Sequence, residues 1–162
     1  MMGHRMVLRT VVLIALSLSA ASASASHYRL AGSGLFSKAE MAAFTKIGVT
    51  STKALLERGL STKARAELSR ATSVSKTRIS TLVQQCDLLR ISGVGPTIVR
   101  LFQDAGYPTT WKLSRAKPGA LRQKMAASNA RLRLVPEVPD VGLLARWLAV
   151  AKGLPRIVKG IK

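Results

Sequence analysis

Residues Leu82 to Gly106 read LVQQCDLLRISGVGPTIVRLFQDAG. Ile79, Leu82, Val83, Cys86 and Leu89 fall at helical spacings and predict one apolar stripe. Gly93-Val94-Gly95-Pro96 then breaks the pattern. Two glycines one residue apart permit backbone conformations closed to other residues, and Pro96 suits the first position of a new helix because its φ is fixed and its N–H is absent. The new helix places Ile98, Leu101, Phe102 and Ala105 on one face, with Gly106 as its stop.

Ile91-Ser92-Gly93-Val94-Gly95-Pro96-Thr97-Ile98-Val99 resembles a helix-hairpin-helix motif, apolar-x-Gly-apolar-Gly followed by a helix. The resemblance implies binding to nucleic acid without reading its sequence, through hairpin N–H groups and the following helix N-terminus. Free amides and the positive end of a helix dipole suit phosphate. The chain departs from the motif at Thr97, where Lys is common, and at Val99, where Ala is common. A structural connector between two amphipathic helices would carry the same glycines.

The chain has 162 residues. Its first 25 hold Arg5 and Arg9, the apolar run Val11–Ala21, and the small-x-small sites Ala21-Ser22-Ala23 and Ala23-Ser24-Ala25. This is the grammar of a secretory signal peptide. The run is too short for a spanning helix, which needs about 20 apolar residues. The expectation is therefore an exported protein that meets the membrane only during export, with an uncleaved anchor or an organelle presequence as alternatives.

Cleavage there leaves 24 basic against 7 acidic side chains, a net charge of +17. Such an excess favours polyanions: nucleic acid, anionic lipid or acidic cell-wall polymer. The lone Cys86 excludes an intramolecular disulfide. It sits within an apolar stripe and is expected in the core, the alternative being a reactive or intermolecular thiol.

The remainder reads as helices with local punctuation. His27 to Phe36 is a Gly/Ser-rich lead-in, expected to be flexible along 26–36. Ser37-Lys38-Ala39-Glu40 is a capping box opening a helix to Lys46. Ser51 or Thr52, Ser61 or Thr62, and Ser75 cap the next three helices. Pro118 and Asp140 open two more, and residues 156–162, with Arg156, Lys159 and Lys162, form a basic tail expected to be a solvated end, the alternative being an auxiliary phosphate contact. Trp147 is expected in the core, and Trp111 either there or at a surface contact.

Phe44 to Gly48 and Thr50-Ser51-Thr52 repeat as Phe102 to Gly106 and Pro108-Thr109-Thr110, offset by 58 residues. Leu55 then parallels Leu113, Leu68 parallels Met125, Thr72 parallels Asn129, and Ile79–Leu89 parallels Leu143–Leu154. The period predicts duplication of one small unit, with the first at 37–91 and the second at 92–155. The predicted fold is all-α: tandem helix-hairpin-helix-like units forming a compact helical domain.

Asp87-Leu88-Leu89-Arg90-Ile91-Ser92-Gly93-Val94-Gly95, Leu101, Ala105-Gly106, Leu113, Asn129 and Val150-Ala151-Lys152-Gly153-Leu154-Pro155 together resemble the domain-of-unknown-function 4332 family, over roughly residues 35 to 155. That resemblance implies paired helical hairpins and, by analogy, a nucleic-acid role.

The scattered acids and two histidines offer no nucleophile with a base, no metal-ligand spacing and no phosphate loop. The expectation is a non-enzymatic binding module without cofactor or metal and with no small-molecule substrate evident. The candidate contacts to a nucleic-acid backbone are Arg90, Gly93, Val94, Gly95, Thr97 and Arg100, extended by Lys112, Arg115, Lys117, Arg122 and Lys124. Asp87 and Asp104 are expected to form surface ion pairs with Arg90 and Arg100. The alternative function is an exported structural or protein-interaction module whose basic surface meets anionic lipid or cell-wall polymer.

Overall fold

Six short polar side chains set where helices begin. Ser37, Ser51, Ser61, Ser75, Thr109 and Asp140 each accept a hydrogen bond from the backbone N–H three residues on, satisfying a donor that the helix itself cannot. At Ser37 the box is complete: the Glu40 carboxylate accepts from the Ser37 N–H at 2.8 Å while Ser37 Oγ accepts from the Glu40 N–H at 3.2 Å. The computed structural model describes residues 27–161. The expected export segment, 1–25, lies outside the described residues.

Among the described residues there are nine helices and no strand: α1 (Leu30–Ser33), α2 (Lys38–Lys46), α3 (Thr52–Arg58), α4 (Thr62–Thr72), α5 (Lys76–Leu88), α6 (Pro96–Asp104), α7 (Thr110–Ser114), α8 (Pro118–Leu132) and α9 (Val141–Gly153). They form a compact all-α domain. None of these helices is long and apolar enough to cross a membrane.

The 58-residue offset holds in three dimensions. Helices α2 and α6 start 58 positions apart, as do α3 and α7. Each of the first pair ends in the same motif. Gly48 and Gly106 take φ of 76° and 91°, and the N–H of the next residue donates to the carbonyl of Phe44 or Phe102. The packing repeats as well: α2 lies on α4, α3 on α5 and α4 on α5, while α6 lies on α8, α7 on α9 and α8 on α9. Helix α5 joins the copies by packing on α6. Its Ile79, Leu82, Val83 and Cys86, with Leu89 at its C-cap, are all fully buried, so the stripe read from sequence is the centre of the core. Phe44 and Phe102 are equivalent and buried, each edge-on to another ring, Phe36 at 5.8 Å and Trp147 at 6.0 Å.

Both chain ends depart from the sequence expectation. The lead-in carries α1, buries Leu30, Leu35 and Phe36, and pairs Tyr28 with Thr52 through two hydrogen bonds of 2.9 and 3.0 Å. Its apolar residues are too few to show periodicity, yet α1 and the turn after it stand 58 positions before Leu88–Val94, the stretch that leads into the second copy. The tail is not a solvated end either. Val158 is buried, the Lys159 N–H donates to the Leu60 carbonyl at 2.8 Å, and the Lys159 carbonyl accepts from Arg65 Nη2 at 2.8 Å. Arg65 is itself buried, and burial lowers its pKa. Its Nη1 donates to the Gly59 carbonyl, so the guanidinium ties the tail to the start of α4.

Candidate nucleic-acid interface

The turn between α5 and α6 is closed by a hydrogen bond from the Val94 N–H to the Ile91 carbonyl at 3.1 Å. Gly93 occupies its third position with φ of 81°, which a side chain disfavours. A Cβ there would also lie 3.3 Å from Trp147 Nε1. Gly95 follows as the N-cap of α6 with extended φ and ψ, and no side chain caps this helix. Pro96 supplies no N–H, so the N–H groups of Thr97 and Ile98 point out of an uncapped first turn.

The equivalent place in the first copy is filled. Ser37 and Lys38 stand where Gly95 and Pro96 stand, 58 positions earlier, and Glu40 stands where Ile98 does. The α2 N-terminus thus holds its own carboxylate, which Arg78 grips at 2.6 and 3.0 Å. Hydrogen bonding from Arg78 keeps the Glu40 carboxyl below its ordinary pKa.

The structure sorts the residues named from sequence. Gly93 and Thr97 are exposed, and Arg100 lies one turn past Thr97 on the same face. Val94 is fully buried and its N–H is spent within the turn, so it is a core residue and not a contact. Its side chain joins the core cluster that also holds Trp147 of α9. Arg90 is also committed: its Nη1 donates to Asp87 Oδ1 at 2.7 Å and to the Pro155 carbonyl at 3.1 Å. That ion pair is buried, not superficial, with side-chain exposures of 11% for Arg90 and 4% for Asp87. Asp87 faces inward because its other oxygen anchors α7, accepting from Thr110 Oγ1 and N–H. Asp104 pairs with Arg131 at 2.6 Å instead of Arg100, because α8 packs beside α6; this hydrogen bond keeps the Asp104 carboxyl below its ordinary pKa.

Lys112, Arg115 and Lys117 gather around one open groove of about 460 Å³, floored by Tyr107 and Trp111. Trp111 is half-buried, with the Arg115 and Arg156 guanidinium carbons 5.1 and 4.5 Å from its ring centroid. Lys124 sits 5.1 Å from the Tyr107 ring. These are cation–π distances, so Trp111 is a surface platform for basic side chains. Arg122 is exposed and is not among the residues that line this groove.

The family model for the domain of unknown function DUF4332 matches residues 35–154. The chain belongs to the DUF4332 family. No curated protein and no solved structure matches it. In this DUF4332 chain the match spans both copies, from the turn before α2 to the end of α9. Among the described residues, no three His, Cys, Asp or Glu side chains converge as metal ligands.

Two features escaped the sequence reading. Tyr28, from the lead-in, brings its hydroxyl to 3.8 Å from where a Gly95 Cβ would be, and nothing in its local sequence signals this. Gln85 and Arg78 line a cleft beside Arg100. The polar Gln85 inside an otherwise apolar face of α5 was the available signal.

Proposed function

We propose that this domain is a helix-hairpin-helix-like module that binds the phosphate backbone of nucleic acid without reading sequence. One observation carries the reading: the duplicated helix start is sealed by Ser37 and Glu40 in the first copy and open at Gly95, Thr97 and Ile98 in the second. An open first turn offers N–H groups and a positive dipole end to an anion. Arg100 stands one turn away, and the Trp111 groove adds Lys112, Arg115, Lys117 and Lys124 to a chain of net charge +19. Arg90 serves this surface by holding the turn, α7 and Pro155 together.

The test compares Thr97→Asp with Lys63→Glu in duplex binding. Lys38 would be a poorer control, because the adjoining Ser37 lines the cleft that holds Arg100. Lys63 is exposed on α4, which packs on α2, α3 and α5. Affinity should fall with salt, at a slope of about −0.9 per phosphate neutralised. Thr97→Asp puts a carboxylate where phosphate would sit and should weaken binding far more, although it changes the charge by less. Equal losses would reduce the turn to a connector beneath diffuse electrostatics.

The export segment favours a second reading, an exported module whose basic surface binds anionic lipid or cell-wall polymer. N-terminal sequencing of the secreted protein should find a start between Ser24 and Ser26. A start at Met1 would remove this reading's support.

A further inference from the structure

Gln85 is 5% exposed, and its Oε1 is buried with no hydrogen-bond partner among the described residues. The amide orientation follows from its neighbours. The Thr81 carbonyl can only accept, so Gln103 turns its Nε2 to it at 3.3 Å. Gln103 Oε1 then faces Gln85, which must present Nε2, at 2.7 Å. The oxygen left over is an acceptor without a donor, a state that is costly when buried because water is lost and nothing replaces it.

Gln85 forms part of the wall of a cleft of about 300 Å³ between the two copies, with Arg100 from α6, Arg78 from α5 and the Gly34–Ser37 turn. Two acids lie close by and both are neutralised: Glu40 by Arg78 and Asp104 by Arg131. Arg100 has no ion-pair partner among the described residues and is exposed. It is thus the unpaired cation of the cleft lining, since Arg78 is held by Glu40. The cleft therefore asks for two things side by side, an anionic group for Arg100 and a hydrogen-bond donor for Gln85. It continues the Thr97–Arg100 face, where the phosphate backbone is placed above.

We infer that this cleft takes a ribose phosphate of an RNA strand, with the 2′-hydroxyl donating to Gln85 Oε1 and the adjoining phosphate on Arg100. DNA offers the phosphate but lacks that donor, and the 2′-hydroxyl is what tells the two polymers apart at a given site. This inference rests on the nucleic-acid reading of the α6 N-terminus and adds a preference to it.

The test measures full-chain affinity for unstructured strands of one sequence as RNA, DNA and 2′-O-methyl RNA, with ribose 5-phosphate as competitor. One net hydrogen bond predicts RNA binding about three- to tenfold tighter than DNA. The 2′-O-methyl strand, which keeps the oxygen but cannot donate, should fall to the DNA level. In Gln85→Leu the RNA and DNA affinities should become equal, so that the preference disappears within the variant. The methylated strand needs no altered protein, so the test stands even if Gln85→Leu misfolds. RNA and DNA binding equally, both weakened by Thr97→Asp, would overturn the RNA preference and leave the phosphate reading standing. It would mean that water satisfies Gln85. No binding to any strand would overturn both. Displacement of RNA by ribose 5-phosphate at comparable concentration would overturn the strand as occupant in favour of a free sugar phosphate.

Discussion

The Asp87 carboxylate accepts from the Thr110 hydroxyl at 2.7 Å and from the Thr110 N–H at 3.1 Å. In the first copy the equivalent Thr52 meets the backbone of Tyr28 instead: its N–H donates to the Tyr28 carbonyl, while its hydroxyl accepts from the Tyr28 N–H. One acidic side chain thus replaces a stretch of main chain, and it also fixes Arg90. Asp87→Ala would strand a nearly buried guanidinium and unpair a buried threonine. We expect a loss of about 3–5 kcal/mol, read from urea denaturation. A loss below about 1 kcal/mol would mean that the triad is not a structural anchor.

The two turn glycines should respond with opposite sign. Gly93→Ala forces a Cβ into the left-handed region, costing about 1–2 kcal/mol, and presses on Trp147. Gly95 has φ −96° and ψ 171°, close to the conformation that Ser37 adopts at the same place. Gly95→Ser should therefore keep or raise stability by a few tenths of a kcal/mol, because serine is a better N-cap. Denaturation midpoints moving together would contradict this division of roles.

Cys86 is fully buried, and burial pushes its thiol pKa up, with Asp87 adding to the rise. The thiolate needed for alkylation is absent in the folded state. Iodoacetamide should label the chain only after denaturant is added. Fast labelling of the native protein would place Cys86 outside the core.

The Glu40–Arg78 pair should leave a signature in acid. Arg78 hydrogen bonds lower the Glu40 pKa from its ordinary 4.5. The unfolded chain therefore takes up the proton first as pH falls. The pair's contribution is present above 4.5 and is lost as pH drops through the folded value. Wild type should be more stable than Glu40→Gln at neutral pH, and the gap should close below 4.5. A gap constant across this range would show that the carboxylate charge is not what Glu40 contributes.

The sequence by itself determined the helices after α1, most of their caps and the duplication. Each cap bond spans three residues, as from Ser37 to Glu40 or from Asp140 to Leu143, and the apolar stripe of α5 needs only a helical period. The 58-residue offset is visible because equivalent turns require equivalent residues, as at Gly48 and Gly106. Only the tertiary structure decided which polar groups meet. Asp87 and Thr110 are 23 positions apart, Gln85 and Gln103 are 18 apart, and Arg131 and Asp104 are 27 apart. Helix packing sets those partners, and no local pattern encodes it. The same packing moved Val94 and Arg90 from the expected contact surface into the scaffold, and brought the tail's Arg156 onto Trp111. The turn's glycines were legible from the chain because φ is a local property; which side chains stand around them was not, because burial is a property of the whole fold.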